Sequence, residues 1–192
     1  MEVSTQDAKN ALRAEVRGRL KQISAAQREA ASRKMCELLE GRREWKEALC
    51  VLLFAPLTDE PDVWPMLGRG ISEGKVMALP RFDSSRNSYI ASRIQEPETE
   101  LRPGKFGIRE PVEGCEEVAL KRLDLILAPG LAFDLHGRRL GRGKGIYDRL
   151  LATASGTSCG VSFDEQIVGG IPVEEHDIHV NRILTPTRWI EF

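Results

Sequence analysis

Short apolar runs alternate with amphipathic segments along the chain, and they predict its strands. Buried strands are predicted at residues 48–55, 75–79, 123–128 and 157–163. Nearly continuous apolar runs of this length are typical of strands covered on both faces of a parallel sheet. Pro80 and Arg81 are predicted to end the strand at 75–79. A run of mixed polarity at 89–94 predicts a shorter strand at an edge of the sheet.

Helices are predicted over residues 5–22, from about 25 to 40, over 62–72 and over 146–153. Leu12, Val16 and Leu20 recur at helical spacing and give the first helix one apolar side. Ser24 and Gln27 form the pattern of a capping box at the start of the second helix.

The alternation of strands and helices, without hairpin signals, predicts an α/β fold with a largely parallel central sheet and helices on both faces. A chain of 192 residues has the length of one ordinary domain. Residues 1–192 are therefore predicted to form a single domain.

Composition and charge restrict the classes of function. The formal net charge is -1, so no overall charge attracts the chain to nucleic acid or to a membrane surface. No apolar run reaches the ~18 residues of a membrane span, and the N-terminus does not resemble a signal peptide. The four cysteines are scattered without a CxxC pair, which indicates free thiols in a reducing compartment. We therefore expect a cytoplasmic monomer that acts on small molecules.

A basic, glycine-rich segment follows the strand at 123–128 and carries the strongest functional signal. Between residues 137 and 149, its cations are Arg138, Arg139, Arg142, Lys144 and Arg149. Interleaved glycines let backbone N–H groups approach a ligand, and the start of the following helix attracts negative charge. The segment predicts a phosphate site, the alternative being a solvated basic loop. Gly145 follows Gly143-Lys144, so the pattern is neither a P-loop nor a GxGxxG fingerprint.

Asp148 is the single acid in this basic segment. A carboxylate just inside a helix start suits Mg²⁺, which prefers one or two carboxylates together with substrate phosphates. It also suits the helix dipole, so a helix-capping role is the alternative. We interpret Asp148 as a metal ligand or as a residue that supports one.

Three other features have plain interpretations from the residues alone. Lys9 and Arg13 lie at i, i+4 spacing on the first helix, where they would form a solvated face. Glu60 would be a loop carboxylate after a buried strand. His176 and His179 are three residues apart but lack the HExxH pattern, which argues against a zinc pair.

The string PGLAFDLHGRRLGRGKGIYDRLL, residues 129–151, resembles the signature of the 5-formyltetrahydrofolate cyclo-ligase family. The resemblance implies that the glycine-rich loop holds the phosphates of ATP and part of the folate, and that Asp148 binds Mg²⁺. Ile146 departs from the pattern, because the family usually has a tyrosine before its Tyr-Asp pair.

Weaker resemblances extend to other segments. Lys9-Asn10-Ala11-Leu12-Arg13 has the form of the family's Lys-x-x-x-Arg, which contacts ATP. Glu60 matches a glutamate that binds the pterin ring, and Phe54 and Ala55 would line the same pocket. Asp177 corresponds to a second carboxylate for Mg²⁺, and Asn181 stands where an aspartate is common. Residues 106–111 resemble a loop that forms a wall of the folate site.

The implied reaction is the ATP-dependent cyclisation of 5-formyltetrahydrofolate to 5,10-methenyltetrahydrofolate, with Mg²⁺ as cofactor. The implied ATP-binding residues are Lys9, Arg13, Arg139, Leu140, Gly141, Arg142, Gly143, Lys144, Gly145, Ile146 and Tyr147. The implied folate-binding residues are Phe54, Ala55, Glu60, Arg142, Gly143, Lys144, Gly145 and Ile146. The implied catalytic residues are Arg142, Lys144 and Tyr147, and the implied metal ligands are Asp148 and Asp177.

Two alternatives to this function remain at the level of sequence. An enzyme of the same fold could use ATP on a different carboxylate or formamide, since fold does not fix substrate. An RNA-binding module could use the arginines of residues 138–149 as a backbone clamp. The second alternative predicts a basic face with aromatic stacking residues, whereas aromatic residues are only 6% of the chain.

Overall fold

The computed structural model describes residues 4–104, 108–174 and 177–192. Its helices are α1 Thr5–Leu20, α2 Ala25–Glu40, α3 Arg43–Glu47, α4 Pro65–Ser72, α5 Pro97–Glu100 and α6 Ile146–Thr153. Its first seven strands are β1 Cys50–Leu52, β2 Val76–Asp83, β3 Ser88–Ile94, β4 Leu101–Pro103, β5 Arg109–Pro111, β6 Glu117–Val118 and β7 Leu125–Pro129. The remaining strands are β8 Ala132–Asp134, β9 Arg139–Leu140, β10 Thr157–Val161, β11 Ile167–Val168, β12 Arg182–Leu184 and β13 Trp189–Glu191.

The main sheet has eight strands in the order β13-β12-β10-β7-β1-β2-β3-β6. Its five central strands, β12, β10, β7, β1 and β2, run parallel to one another. Antiparallel strands complete both edges, β13 on one side and β3 with β6 on the other. The predicted α/β fold with a largely parallel sheet is confirmed.

Apolar side chains cover both faces of this sheet, because successive strand residues point in opposite directions. Val51 of β1 packs with α1, α2 and α4, whereas its neighbours Cys50 and Leu52 join the core on the other face. That second face is covered by α6, through Leu150 and Leu151. Continuous apolar runs were therefore the correct signal for the central strands.

The prediction that Pro80 ends a strand is wrong. β2 continues through Pro80 to Asp83 and pairs antiparallel with β3, so the absence of hairpin signals was also misjudged. The turn between them is built by Asp83, whose Oδ1 accepts hydrogen bonds from the backbone N–H groups of Ser85 and Arg86. Asn87 then takes a positive φ of 49°, a conformation that asparagine tolerates.

Two small sheets accompany the main one. β8, β9 and β11 form one of them, and β4 with β5 forms the other. β8 and β9 lie within the segment that was predicted as a loop after residue 128, and β5 lies within residues 106–111, which resemble the wall of the folate site. The capping box of α2 is confirmed, since Ser24 and Gln27 exchange hydrogen bonds between side chain and backbone.

The four cysteines, Cys36, Cys50, Cys115 and Cys159, are all buried free thiols, as the sequence predicts. Burial raises the pKa of Cys36 to about 12, so this thiol is protonated at neutral pH. Within the described ranges, no helix combines the length and apolar character that a bilayer crossing requires.

Candidate active site

A cleft of about 1220 Å³ opens at the carboxyl ends of β1, β2 and β7. The chain leaves β1 toward β2 on one side, whereas β7 pairs with β1 on the other side. Open α/β sheets bind ligands at such a reversal of strand order. The volume exceeds the roughly 300–1,000 Å³ that is usual for one small ligand. The cleft is therefore larger than one small ligand requires.

The glycine-rich loop forms one wall of this cleft and ends in the first turn of α6. Gly143 and Gly145 have φ angles of 103° and 61°, which residues with a side chain rarely adopt. Gly145 is the N-cap of α6 and has no side chain to accept a hydrogen bond from the first N–H groups of the helix. Arg13 of α1 fixes the loop from behind, because its Nε donates to the carbonyl of Gly141 at 3.0 Å. The first N–H groups of α6 are therefore not capped by a side chain and remain available to an anion.

Arg142 of this loop reaches across to the loop that follows β1. Its Nε donates to Glu60 Oε1 at 3.0 Å, and its Nη2 donates to Asp59 Oδ1 at 2.7 Å. The Glu60 side chain is 5% exposed, and its Oε2 accepts a hydrogen bond from the backbone N–H of Leu57. Burial raises the pKa of Glu60 despite that bond and the charge of Arg142. The two sides of the cleft are thus joined by an ion pair.

Asp148 and Arg139 form a second ion pair at the start of α6. Arg139 Nη2 donates to Asp148 Oδ1 at 2.6 Å, and Arg139 Nη1 donates to the carbonyl of Pro129 at 3.3 Å. The guanidinium of Arg139 also lies 5.8 Å from the centre of the Tyr147 ring. Asp148 therefore pairs with a cation and does not act as the N-cap, which is Gly145. Burial raises the pKa of Tyr147, so its hydroxyl stays protonated at neutral pH.

Lys9 of α1 forms a third charged group with the segment that follows β11. Its Nζ lies 2.5 Å from Asp177 Oδ2 and 2.7 Å from Glu174 Oε2, and its side chain is only 6% exposed. Burial alone would lower the pKa of Lys9, but the hydrogen bonds that its Nζ donates to Asp177 and Glu174 outweigh that effect and raise the pKa. Lys9 is therefore a charged, buried cation rather than part of a solvated face.

The structure brings nearly all the sequence-predicted site residues to this one cleft. Every residue implied for ATP, Mg²⁺ or catalysis lines it, as do Ala55 and Glu60. Phe54 is the exception, and its predicted place in the pocket is corrected. Its side chain points from the end of β1 into the hydrophobic core, where the residue is 2% exposed.

Asn181 lies outside the cleft and has a structural role. Its Oδ1 accepts hydrogen bonds from both the backbone N–H and the hydroxyl of Ser158. These bonds join the chain before β12 to β10. The side chain at this position therefore serves a local strand contact.

Sequence reasoning missed an aromatic wall on the opposite side of the cleft. Phe82 and Tyr89 lie on the β2–β3 hairpin with their ring centres 5.3 Å apart, edge to face, and both line the cleft. Reading the turn at 83–87 as a hairpin would have placed them together. Ile108 and Glu110 also line the cleft, in agreement with the predicted wall at 106–111. Phe106 and His176 lie outside the described residues.

The basic segment is not a solvated surface loop. Its Arg139 and Arg142 are paired with carboxylates and line the cleft, so they do not form a continuous basic face for an RNA backbone. This arrangement favours a small anionic ligand within a pocket.

The carboxylates of the cleft are suited to a metal that arrives with phosphate groups. Asp148 and Asp177 both line the cleft, but each is paired with a cation. Among residues 4–104, 108–174 and 177–192, no three histidine, cysteine or acidic side chains cluster as a metal centre. Mg²⁺ needs only one or two protein carboxylates when phosphates supply other oxygens. The donor set therefore fits a metal shared with a nucleotide.

Comparisons with known proteins agree with this arrangement. A model of the 5-formyltetrahydrofolate cyclo-ligase family matches residues 5–186. The chain is 33% identical over 193 residues to the 5-formyltetrahydrofolate cyclo-ligase of Mus musculus, with 95% of each covered. It is 30% identical over 191 residues to that of Mycolicibacterium smegmatis, with 95% of this chain and 96% of the relative covered.

A solved structure shares the same fold over nearly the whole chain. The NMR structure of Aquifex aeolicus 5,10-methenyltetrahydrofolate synthetase superposes with a TM-score of 0.86 at 35% identity. The superposition covers 95% of this chain and 92% of that one. Because the family model, the relatives and the fold agree over almost the full length, the chain belongs to the 5-formyltetrahydrofolate cyclo-ligase family.

Proposed function

We propose that this protein catalyses the ATP- and Mg²⁺-dependent cyclisation of 5-formyltetrahydrofolate to 5,10-methenyltetrahydrofolate, releasing ADP and phosphate. The observation that carries the proposal is the large cleft in which a glycine-rich loop, without a side-chain cap at the start of α6, faces a buried carboxylate, Glu60. The loop suits phosphates, and the carboxylate suits the N–H edge of a pterin ring.

The chemistry explains why ATP is needed. A formyl group on nitrogen is a poor electrophile, because the nitrogen lone pair is delocalised into the carbonyl. Attack of the formyl oxygen on the terminal phosphorus of ATP releases ADP and makes the oxygen a leaving group. N10 then attacks the formyl carbon, loses its proton, and phosphate departs with the former formyl oxygen. Such a sequence requires mainly close positioning and neutralisation of negative charge.

The loop residues would hold the phosphates. Arg142 and Lys144 line the cleft beside the first turn of α6, where N–H groups and the helix dipole also favour negative charge. Lys9 and Arg13 approach from α1, and Arg13 also fixes the loop through Gly141. Cations and N–H donors fixed before the reaction stabilise developing charge without reorganising.

Asp148 and Asp177 would hold Mg²⁺ together with the nucleotide phosphates. When bound, the metal neutralises phosphate charge. The ion pairs with Arg139 and Lys9 orient both carboxylates before a metal arrives.

Glu60 would bind the pterin ring, with Ala55, Phe82 and Tyr89 around it. Two oxygens of a carboxylate match two adjacent N–H donors of the ring. Tyr147 keeps its proton because burial raises its pKa, so its hydroxyl can donate a hydrogen bond to a developing oxyanion.

The decisive experiment is a spectroscopic assay of methenyl formation. Purified protein is mixed with 5-formyltetrahydrofolate, and the ultraviolet absorbance of the product is followed with and without ATP and Mg²⁺. Absorbance growth that requires both additions is expected. Binding of ATP without any change in the folate would instead favour an enzyme of the same fold that acts on another substrate.

The proposal extends to the state of the protein. We propose that residues 1–192 act as one domain and as a monomer in the cytoplasm, with small molecules as partners. The four buried free thiols agree with a reducing compartment. Light scattering of the purified protein would test the monomer directly.

A further inference from the structure

Asp59 and its neighbour Glu60 both accept hydrogen bonds from the side chain of Arg142. Asp59 takes Nη2 of the guanidinium and Glu60 takes Nε, at 2.7 and 3.0 Å. Among the described residues, Nη1 makes no hydrogen bond, and it is not one of the buried unsatisfied atoms. One edge of the guanidinium is therefore held by carboxylates, while the remaining N–H donors stay available in the cleft.

The loop alone does not fix Arg142. The residue lies between two glycines, and a Cβ placed on Gly143 would meet nothing within 4 Å. The backbone is therefore open on the side of Gly143, whereas Gly141 is held by Arg13. A free arginine side chain also has about 2 kcal/mol of rotamer entropy to lose on binding. The hydrogen bonds to its two carboxylate partners orient the guanidinium.

The two partners differ in what else they must do. Glu60 is almost fully buried, and the proposed function assigns its oxygens to the pterin ring. Asp59 is adjacent in the chain, but its side chain is 36% exposed and has no assigned ligand. When a folate claims Glu60, Asp59 is the carboxylate that can still hold Arg142.

We propose that Asp59 is a positioning residue, which holds the guanidinium of Arg142 so that its remaining N–H donors face the phosphates of the nucleotide. The inference rests on the proposed function, since it takes Arg142 as a phosphate ligand. Asp59 acts through Arg142 and contacts neither substrate. Orientation by a supporting hydrogen bond is the usual means of fixing such a side chain.

The negative charge of Asp59 by itself disfavours ATP binding, whereas its positioning of Arg142 favours it. The direction of the change in ATP affinity on removing Asp59 therefore tests the proposal. A negative charge beside a phosphate site weakens anion binding, so a mere counter-charge would reduce affinity for ATP. Removal of a counter-charge would improve ATP binding, whereas removal of a positioning residue would weaken it.

The experiment compares Asp59→Ala, Asp59→Asn and Glu116→Ala with the wild type. Glu116 is a matched control, because its carboxylate pairs with Arg93 at 3.2 Å and neither residue lines the cleft. Nucleotide affinity is titrated directly with a non-hydrolysable ATP analogue and Mg²⁺, and KM and kcat are measured in the methenyl assay. Thermal melts check that all variants remain folded.

Asp59→Ala is expected to weaken nucleotide affinity about tenfold and to lower kcat, as for a misplaced binding group. Affinity for 5-formyltetrahydrofolate without nucleotide should change less than about twofold, because Glu60 is intact. Asp59→Asn keeps an acceptor oxygen at the same place and should recover most of the loss. In an Arg142→Ala background, Asp59→Ala should have no further effect on the nucleotide.

Unchanged or tighter nucleotide binding in Asp59→Ala would overturn the inference. It would also be overturned if Asp59→Ala weakened nucleotide binding as much in the Arg142→Ala background as in the wild type. Failure of the proposed function is recognised separately, because the wild type would then form no methenyl product. The nucleotide titration would still decide the role of Asp59 in that case. A wild type that binds no nucleotide would overturn both proposals.

Discussion

Arg139 and Asp148 are held together across the start of α6, with 2.6 Å between Nη2 and Oδ1. The arginine side chain is 4% exposed and the aspartate side chain 20%. The buried arginine thus holds the carboxylate of Asp148, and Asp148 also lines the cleft. A carboxylate oriented in this way is ready to accept a metal ion on its other side.

Asp148→Asn is therefore expected to lower turnover, and part of the loss should return as the Mg²⁺ concentration is raised. The amide keeps an oxygen for Arg139 but loses the charge that a hard divalent cation requires. Activity is titrated against Mg²⁺ for both proteins. Asp164→Asn, at the remote Asp164–Arg188 pair, provides a matched control that should behave as wild type. Coincident Mg²⁺ curves for Asp148→Asn and wild type would rule out the metal role.

Lys144→Ala and Arg142→Ala should each raise the KM for ATP; the melting temperature should change little in Lys144→Ala, whereas Arg142→Ala also leaves the buried Glu60 without its cation. A charge-assisted contact with phosphate contributes ~1.5 to 3 kcal/mol, which corresponds to an increase of roughly tenfold to more than a hundredfold. Neither residue belongs to the hydrophobic core. Lys121→Ala, an exposed lysine away from the cleft, is the control for loss of one positive charge. Normal nucleotide affinity in both loop variants would remove the loop from the mechanism.

Glu60→Gln should weaken folate binding more than ATP binding. The carboxylate offers two acceptor oxygens, whereas the amide presents one N–H₂ group that faces a ring donor or Arg142. Affinities for 5-formyltetrahydrofolate and for an ATP analogue are measured separately on each protein. Equal losses for the two ligands would contradict a pterin role.

The same substitution should change how stability depends on pH. Burial raises the pKa of Glu60 above its ordinary value of 4.5, so over the interval between the two values the folded protein binds more protons than the unfolded chain. The free energy of unfolding contributed by this group then falls as the pH rises. Melting temperatures of Glu60→Gln and wild type are compared from about pH 4.5 to neutral. As the pH rises, the melting temperature of Glu60→Gln should increase relative to that of the wild type. A difference that does not change with pH would argue against a raised pKa of Glu60.

The central sheet and the loop could be predicted because local residue patterns determine them. Val51 and Leu52 belong to opposite cores, so their strand must be apolar at every position, and the sequence displays this directly. The glycine-rich loop is likewise a local pattern of glycines and cations. The start of α6 at Ile146 followed from the same segment.

The partners of the cations could not be predicted, because they come from distant parts of the chain. Arg142 finds its carboxylates 83 and 82 residues earlier, and Lys9 finds Asp177 168 residues later. Pro80 was misread for another reason. Proline usually interrupts strand pairing, but the hairpin of β2 and β3 continues past it, with Pro80 opposite Ala91. Because that hairpin was not predicted, the aromatic wall of Phe82 and Tyr89 was not predicted either.

The β2–β3 hairpin makes one wall of the cleft easier to alter than the other. Its pairs, such as Asp83 with Ser88, join residues close in sequence, so an insertion at its tip would disturb its own ladder and the Arg86–Glu117 ion pair to β6, but no parallel strand. The opposite wall depends on parallel strands and on ion pairs between remote segments. Substrate preference could thus diverge among relatives through the hairpin while nucleotide chemistry and folding stay unchanged. For protein engineers, this hairpin is the natural place to graft a new specificity.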